Sequence, residues 1–481
     1  MGQLLNTAKF FRIIVMRLVL FCVLVAVLAA AVFLFLPPGE VAVVGNGGIP
    51  GAANATSTTA SSTLLSVPEA PTSSQTILGY ASSAVNSAPL SFSDIGNQQP
   101  LPSPPRIAKG VYLTGWSAGY APKLNYLMNL AKRTEVNAVV IDIKDYSGYV
   151  SYRTAVPMTK EDGAEGSIKI AQPNALLKKL HDAGIYVIGR ITVFQDPVLA
   201  KAHPEWALIN KTTGKTWLDN KGLAWMDAAA KPVWEYNTAI AKDAIARGFD
   251  EVQFDYIRFA SDGDLSNIGY PYWQKTRTGA DLTRTSAETE REVIRNFFKY
   301  LRENLTGAKI SVDLFGLSTI NADDLGIGQV IEDAYKYFDY VSPMVYPSHY
   351  ASGFLGYANP AKYPYEVIKY SLERALVRVA KGYEQTAVDS TSTVHAQYAA
   401  KLRPWLQDFD LGATYDAAMV KKEIQAVYDA FSATQSASST ASTSAATPPT
   451  TYYLLPTNPY YGGWLLWDPA NIYTEGALEK N

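Results

Sequence analysis

From about residue 110 onward, apolar positions follow two interleaved patterns. Short β-rich runs are separated by segments with helical patterning, the sequence sign of parallel βα units. The strand-like runs are GVYLTGW from Gly110, NAVVIDIKD from Asn137, YVIGRITVF from Tyr186, EVQFDYIRF from Glu251, KISVDLFG from Lys309, YVSPMVYPS from Tyr340, RPWLQDF from Arg403 and GWLLWDP from Gly463. Helical segments lie between them, among them KLNYLMNLAKRT from Lys123, NALLKKLHDAG from Asn174, KPVWEYNTAIAKDAIARGF from Lys231, SAETEREVIRNFFKYLREN from Ser286 and YPYEVIKYSLERALVRVAKG from Tyr363. A glycine at the end of several of them fits a helix C-cap. Strands and helices in this alternation predict an α/β fold of the (β/α)8 TIM-barrel type. The competing open, doubly wound sheet lacks its G-x-G-x-x-G turn after the first strand.

The N-terminal pattern is different. Leu18 to Leu36, LVLFCVLVAVLAAAVFLFL, is uninterruptedly apolar, and at about 1.5 Å per residue a helix of this length spans the ~30 Å core of a bilayer. Lys9, Arg12 and Arg17 precede it without an acidic residue, and the next basic residue is Arg106. The positive-inside rule then puts residues 1–17 in the cytoplasm and the remainder outside, as a single-pass protein of the cell membrane. A cleaved signal peptide is the alternative, but its apolar core is usually only about 7–15 residues long, which favours an uncleaved anchor at 18–36.

Residues 37–105 are rich in Ser, Ala, Thr, Gly and Pro, with Glu40, Glu69 and Asp94 as their only charges. Such composition cannot offset its ordering entropy and predicts a disordered linker, with the folded domain at 106–481. A second low-complexity stretch, 432–451, is followed by the aromatic YYLLPTNPYYGGWLLWDP. It reads as an insertion ahead of strand eight, at the N-terminal face of the barrel. Residues 260–285, by contrast, follow strand four at the opposite face.

Composition narrows the chemistry. The chain has 481 residues, 48% hydrophobic and 12% aromatic, enough for a substantial core. Its 42 Lys and Arg balance 44 Asp and Glu, so there is no electrostatic footprint for nucleic acid. Cys22 is the only cysteine and lies in the apolar run, which excludes a disulfide framework, a thiolate cluster and a cysteine nucleophile in the folded part. The four histidines form no HExxH or close pair, and neither a G-x-S-x-G elbow nor a phosphate-binding loop is present. No cofactor is expected. An oxygen-ligand cation site from Asp142, Asp145, Asp255 and Asp313 is the alternative.

The period of two along a strand says where the polar residues point. In EVQFDYIRF it turns Val252, Phe254 and Tyr256 toward the helices and Gln253, Asp255 and Ile257 toward the axis. The same reading sends Ser311 and Asp313 inward on strand five and Asp142 inward on strand two, with Asp145 at its rim. Arg190, Tyr346, His349, Gln407 and Trp467 or Asp468 come from the other strand ends, and Arg258 follows Asp255. Catalytic groups of such barrels collect at the C-terminal ends of the strands, and a carboxylate inside a packed barrel is costly unless paired or solvated. Structural ion pairing of Asp255 with Arg190 or Arg258 is the competing reading. Two carboxylates at one mouth suit glycosidic cleavage, one as acid and one as nucleophile or base, with retention or inversion left open. Trp116, Trp206, Trp217, Trp225, Tyr270, Tyr272 and Trp273 are candidate sugar-stacking rings, each equally at home in a core.

The stretches KGVYLTGWSAG, NAVVIDIKDYSGYVSY, GRITVFQDPVLAKAHPEWAL, WLDNKGLAWMDAAAKPVWEYN, GFDEVQFDYIRFASDG and YVSPMVYPSHY resemble the bacterial putative glycosyl hydrolase domain family, from about Ile107 to Pro469. The resemblance implies a glycosidase-like barrel on the cell exterior with Asp255 as the leading catalytic residue. A looser likeness to α-amylase-like barrels pairs a carboxylate nucleophile on strand four with a Glu acid on strand five. This sequence has Asp313 in place of that Glu, and Gln253 where those barrels carry an Arg two residues before the nucleophile. The expected roles are therefore Asp255 as nucleophile or base and Asp313 as its partner. Asp142, Asp145, Arg190, Arg258, Tyr346, His349, Gln407, Trp467 and Asp468 are expected to bind sugar or tune charge. Two functions follow: a membrane-anchored hydrolase of an envelope or extracellular polysaccharide, or a non-catalytic carbohydrate-binding or scaffolding barrel.

Overall fold

The computed structural model of the protein describes residues 93–273, 288–388, 400–436 and 458–481. The apolar run at 18–36, most of the expected linker and most of the 432–451 insertion lie outside them. Among the described residues no helix is long and apolar enough to cross a membrane.

All eight expected strands form: β1 (Ala108–Leu113), β2 (Ala138–Lys144), β3 (Tyr186–Thr192), β4 (Glu251–Asp255), β5 (Ile310–Phe315), β6 (Tyr340–Met344), β7 (Trp405–Gln407) and β8 (Gly463–Trp467). Every neighbouring pair is parallel, and β8 pairs with β1 to close the barrel. Between β6 and β7 the ladder is short, with Lys401–Leu402 and Trp405 pairing on either side of Arg403 and Pro404. Proline has no N–H to give a ladder, which accounts for the break. Gly463 opens β8 at φ 110°, where a Cβ would lie 1.8 Å from the Ala108 carbonyl oxygen. Only glycine lets the last strand come this close to the first.

Helices follow the first seven strands: α1 (Ala121–Arg133), α2 (Pro173–Asp182), α3 (Lys231–Arg247), α4 (Glu290–Asn304), α5 (Ile331–Tyr335), α6 (Pro364–Val388) and α7 (Ala417–Ser436). Proline in the first turn opens α1, α2 and α3, and a Thr289–Glu292 capping box opens α4. Helix α7 runs to Ser436, so it takes in the first residues expected to belong to the insertion. Val139, Ile141, Val187, Val252, Phe254, Val312 and Leu314 face these helices in one large core. Tyr112, Val140, Tyr186, Ile188, Trp405 and Leu465 form a second core inside the barrel.

The packed chain begins ahead of the expected start at Arg106. The Asp94 carboxylate accepts from Asn174 N (2.8 Å) and Ala175 N (3.1 Å) at the start of α2, and Leu101 N donates to Asp250 Oδ1 at 2.6 Å. Leu101 packs against the interior core. A polar, low-complexity composition hid these anchoring points, because capping depends on a single well-placed Asp rather than on apolar periodicity.

Near the N-terminal end of the barrel, Arg403 and Glu251 form a fully buried ion pair. Glu251 also accepts from Tyr186 Oη at 3.1 Å and Ser311 Oγ, and the Arg403 guanidinium lies 4.2 Å from the Tyr340 ring centre. Removing one partner strands the other charge in the core. Arg403→Met should therefore destabilise the protein by about 3–5 kcal/mol in urea unfolding. Glu251→Met added to it should restore much of the loss, since the double variant leaves no uncompensated charge.

Candidate active site

At the opposite end of the barrel, the strand period delivers Asp142, Arg190, Asp255 and Asp313 from β2, β3, β4 and β5 into one cluster. Arg190 is its centre. Its Nη1 donates to Asp142 Oδ1 at 2.6 Å, and its Nη2 and Nε donate to Asp255 Oδ2 at 2.5 and 3.2 Å. Asp313 Oδ2 lies 3.6 Å from Nε. The last two distances put the Oδ2 atoms of Asp255 and Asp313 no more than about 7 Å apart, a limit that the retaining separation of about 5–5.5 Å satisfies.

Each carboxylate has a distinct environment. Asp255 Oδ1 accepts from Tyr256 N at 2.6 Å, so both of its oxygens are engaged. Tyr256 has φ 53°, in the left-handed region, and the strand alternation stops there. Ile257 consequently joins the core against the helices and does not face the axis as expected. Asp142 Oδ2 accepts from Tyr112 Oη at 2.5 Å; burial pushes the Asp142 carboxyl up, the Arg190 charge opposes that, and Asp145 adds to it. Asp313 Oδ1 accepts from Trp405 Nε1 at 2.7 Å, whereas its Oδ2 is buried with no hydrogen-bond partner. Burial first, and then the Asp255 charge, hold the Asp313 carboxyl well above the ordinary range, with Arg190 opposing. A carboxyl in that position keeps its proton and can donate it.

Aromatic rings line the rest of the mouth. Trp467 lies 6.0 Å from both Tyr112 and Tyr346 and 5.1 Å from Phe409, centre to centre, and His349 lies 5.3 Å from Tyr346. Gln407 acts behind them: its Oε1 accepts from Ser348 Oγ at 2.8 Å and its Nε2 donates to the Phe409 carbonyl at 2.9 Å, fixing the loop that carries His349. Asp145 is tied to Lys169 at 2.7 Å and to Ser147 N at 2.9 Å, and Asp468 Oδ1 accepts from Ile472 N at 2.9 Å. These two organise loops next to the cluster. Arg258 is directed into the loop after β4, donating to Phe259 O and Ser261 Oγ with its guanidinium 4.7 Å from both Trp225 and Phe315.

Two expected stacking rings are not accessible. Trp217 and Trp225 are buried and donate their indole N–H groups to Asp264 O and Asp219 Oδ2. Tyr270 and Trp273 pack on Phe259 and on each other, and Trp206 stacks on His203 at 3.8 Å. Trp116 alone of that set is largely exposed. Conversely, Tyr112 and Trp405 hold two of the three carboxylates and were not singled out from sequence. The period of two marks both: Tyr112 is two residues from Gly110, and Trp405 two from the inward Gln407. Gln253 Nε2 reaches Ser342 Oγ at 3.4 Å, and the guanidinium beside Asp255 belongs to Arg190 of the adjacent strand.

Residues 110–436 match a family described as "putative glycosyl hydrolase domain". Among solved structures, a hypothetical protein from Ruminiclostridium thermocellum is 37% identical, over 45% of this chain and 98% of its own, with a TM-score of 0.36. The PgaB (BpsB) glycoside hydrolase domain from Bordetella bronchiseptica is 14% identical over 75% of this chain and 93% of its own, with a TM-score of 0.45. An exo-β-N-acetylglucosaminidase from Vibrio harveyi is 12% identical over 78% and 55%, with a TM-score of 0.44. No curated protein matches the chain.

The raised Asp313 carboxyl has a stability signature. The folded state binds this proton more tightly than the unfolded chain, so its contribution is complete below about pH 4 and is lost as pH rises toward the folded value. Asp313→Asn removes the dependence. Its unfolding midpoint should exceed that of the parent at neutral pH, and the difference should shrink as pH falls toward 4 in parallel melts.

Proposed function

The chain belongs to the putative glycosyl hydrolase domain family, and from that premise we propose that it is a retaining glycoside hydrolase with Asp255 as nucleophile and Asp313 as acid and base. The observation that carries the assignment is the contrast between the two carboxyls beside Arg190. Asp255 takes two hydrogen bonds from the guanidinium, and Asp313 is the buried carboxyl whose second oxygen accepts none and lies 3.6 Å from the same guanidinium.

In the first step the Asp313 proton goes to the glycosidic oxygen as the bond to the anomeric carbon breaks. An Asp255 oxygen forms the new bond to that carbon, giving a glycosyl ester. Asp313, now ionised, takes a proton from water, the water oxygen attacks the same carbon, and Asp255 leaves as a carboxylate. Arg190 holds Asp255 in place and offsets the negative charge that appears on Asp313 between the steps. Asp142 and Tyr112 fix the other side of the guanidinium, so its position does not depend on substrate.

A second reading rests on burial. Asp255 is 6% and Asp313 1% exposed, depths that also suit a barrel which binds a sugar end without cleaving it. The proposed substrate is an envelope or extracellular polysaccharide, and the proposed location is outside the cell membrane on the Leu18–Leu36 anchor. The anchor reading predicts that carbonate-washed membranes retain the full chain and release one lacking residues 1–36.

Two variants separate the roles. Asp255→Asn should lower kcat for reducing-end release by at least about 10³-fold with little change in binding. Asp313→Asn should lose a similar factor on natural linkages, yet keep most of the rate of glycosyl-enzyme formation from nitrophenyl glycosides, whose leaving group needs no proton. Sugar binding by the parent with no release from any substrate would favour the binding barrel.

A further inference from the structure

Of the large side chains that stand in solvent at the C-terminal face, the most exposed lie on adjacent loops. Trp116 and Tyr120 follow β1, Tyr146 follows β2 and Ile472 follows β8, with 60%, 59%, 42% and 60% of their surfaces exposed. Strands β8, β1 and β2 are neighbours, so the three loops share one edge of the C-terminal face. An exposed apolar group of this kind at the rim of a polar site marks a binding surface.

The loops are fastened to one another. Thr114 N donates to Asn471 Oδ1 at 3.0 Å, and Lys123 Nζ donates to the Ala470 carbonyl at 2.9 Å, joining the loop after β8 to the start of α1. A Cβ on Gly115 would meet Ser151 Oγ at 2.2 Å, so the loops after β1 and β2 are in contact. The second of these is braced by Lys169 on Asp145, the residue before Tyr146. A fixed frame of this sort lowers the ordering cost of binding.

The rim is continuous with the site. Tyr112 and Trp467 lie at the ends of β1 and β8, below Trp116 and Ile472 in their own loops. Tyr146 stands in the loop directly after β2, the strand that carries Asp142 of the cluster. In that cluster three carboxyls, Asp142, Asp255 and Asp313, share one guanidinium. An excess of acid repels a polyanion and tolerates a neutral chain.

We infer that Trp116, Tyr146 and Ile472 form a stacking platform for a neutral polysaccharide, which leaves the mouth across the β8–β1–β2 rim and makes a polymer, not a short glycoside, the preferred ligand. The apolar faces of pyranose rings suit such aromatic planes. This inference rests on the mouth being a sugar site, as proposed above, but not on turnover.

The test uses the full chain carrying Asp255→Asn, so that bound sugar persists, with calorimetric titration of three probes. These are the hexamers of β-1,4-linked glucose, β-1,4-linked N-acetylglucosamine and galacturonate. At least one neutral hexamer should bind, protect Trp116 from N-bromosuccinimide oxidation, and lose about tenfold in affinity on Trp116→Ala or Tyr146→Ala, with Trp116→Phe restoring most of it. Failure of both neutral hexamers to bind, tighter binding of galacturonate, or unchanged affinity in both alanine variants would overturn the platform. Reducing-end release with Asp255 intact tests turnover separately. Binding without release keeps the platform and removes the hydrolase, whereas release insensitive to both alanine variants does the reverse.

Discussion

A guanidinium held inside a barrel is the constraint on which this site depends. Arg190 is largely withdrawn from water, and it meets that cost by placing charge-assisted bonds on Asp142 and Asp255 while Asp313 stands at 3.6 Å. Arg suits the position because its planar fork addresses two carboxylates at once and keeps its charge. Three acids cannot all be balanced by one cation, and the surplus falls on Asp313, the least solvated of them. Its raised carboxyl is therefore a consequence of the same arrangement that pairs Asp255. The two carboxyls differ because one arginine is shared unequally between them.

The barrel keeps this chemistry apart from its structural charge. Glu251 and Arg403 neutralise each other near the N-terminal end, with Tyr186 and Ser311 completing the hydrogen bonds of Glu251. Between that pair and Arg190 lie apolar residues such as Val140, Ile188 and Leu465. That end is closed, packed further by Leu101 of the entering segment, although Arg403 Nε has no acceptor there for its N–H. The other retains a carboxyl oxygen that accepts no hydrogen bond, and a lining of rings. The buried ion pair and the Arg190 cluster thus occupy opposite ends of the same strands.

The aromatic residues sort by the same logic. Trp217 and Trp225 find acceptors for their N–H groups within the loop after β3 and its neighbour, so burying them carries little penalty. Trp116 follows β1 directly, on a short helix at the rim, and remains exposed. Composition could not distinguish these rings, since all are tryptophans in loops of the C-terminal face. What separates them is whether a second loop lies across them.

The sequence by itself determined the eight strands, the helices between them and the inward direction of Asp142, Arg190, Asp255 and Asp313. Pleat and helical period are local, and a residue's side follows from its neighbours in the chain. It also carried the motifs that place the chain in its family. Only the tertiary structure decided that Arg190 would bridge β2, β4 and β5, that Trp405 of β7 would reach Asp313 across the interior, and that Asp94 and Leu101 would belong to the fold. The break at Tyr256, which ends the alternation and turns Ile257 away from the axis, was likewise invisible to a pattern read in twos. These features depend on closure and stagger, which bring residues tens to hundreds of positions apart within hydrogen-bonding distance. No local period encodes such distances, and so the different surroundings of the carboxyls emerged only when the strands met.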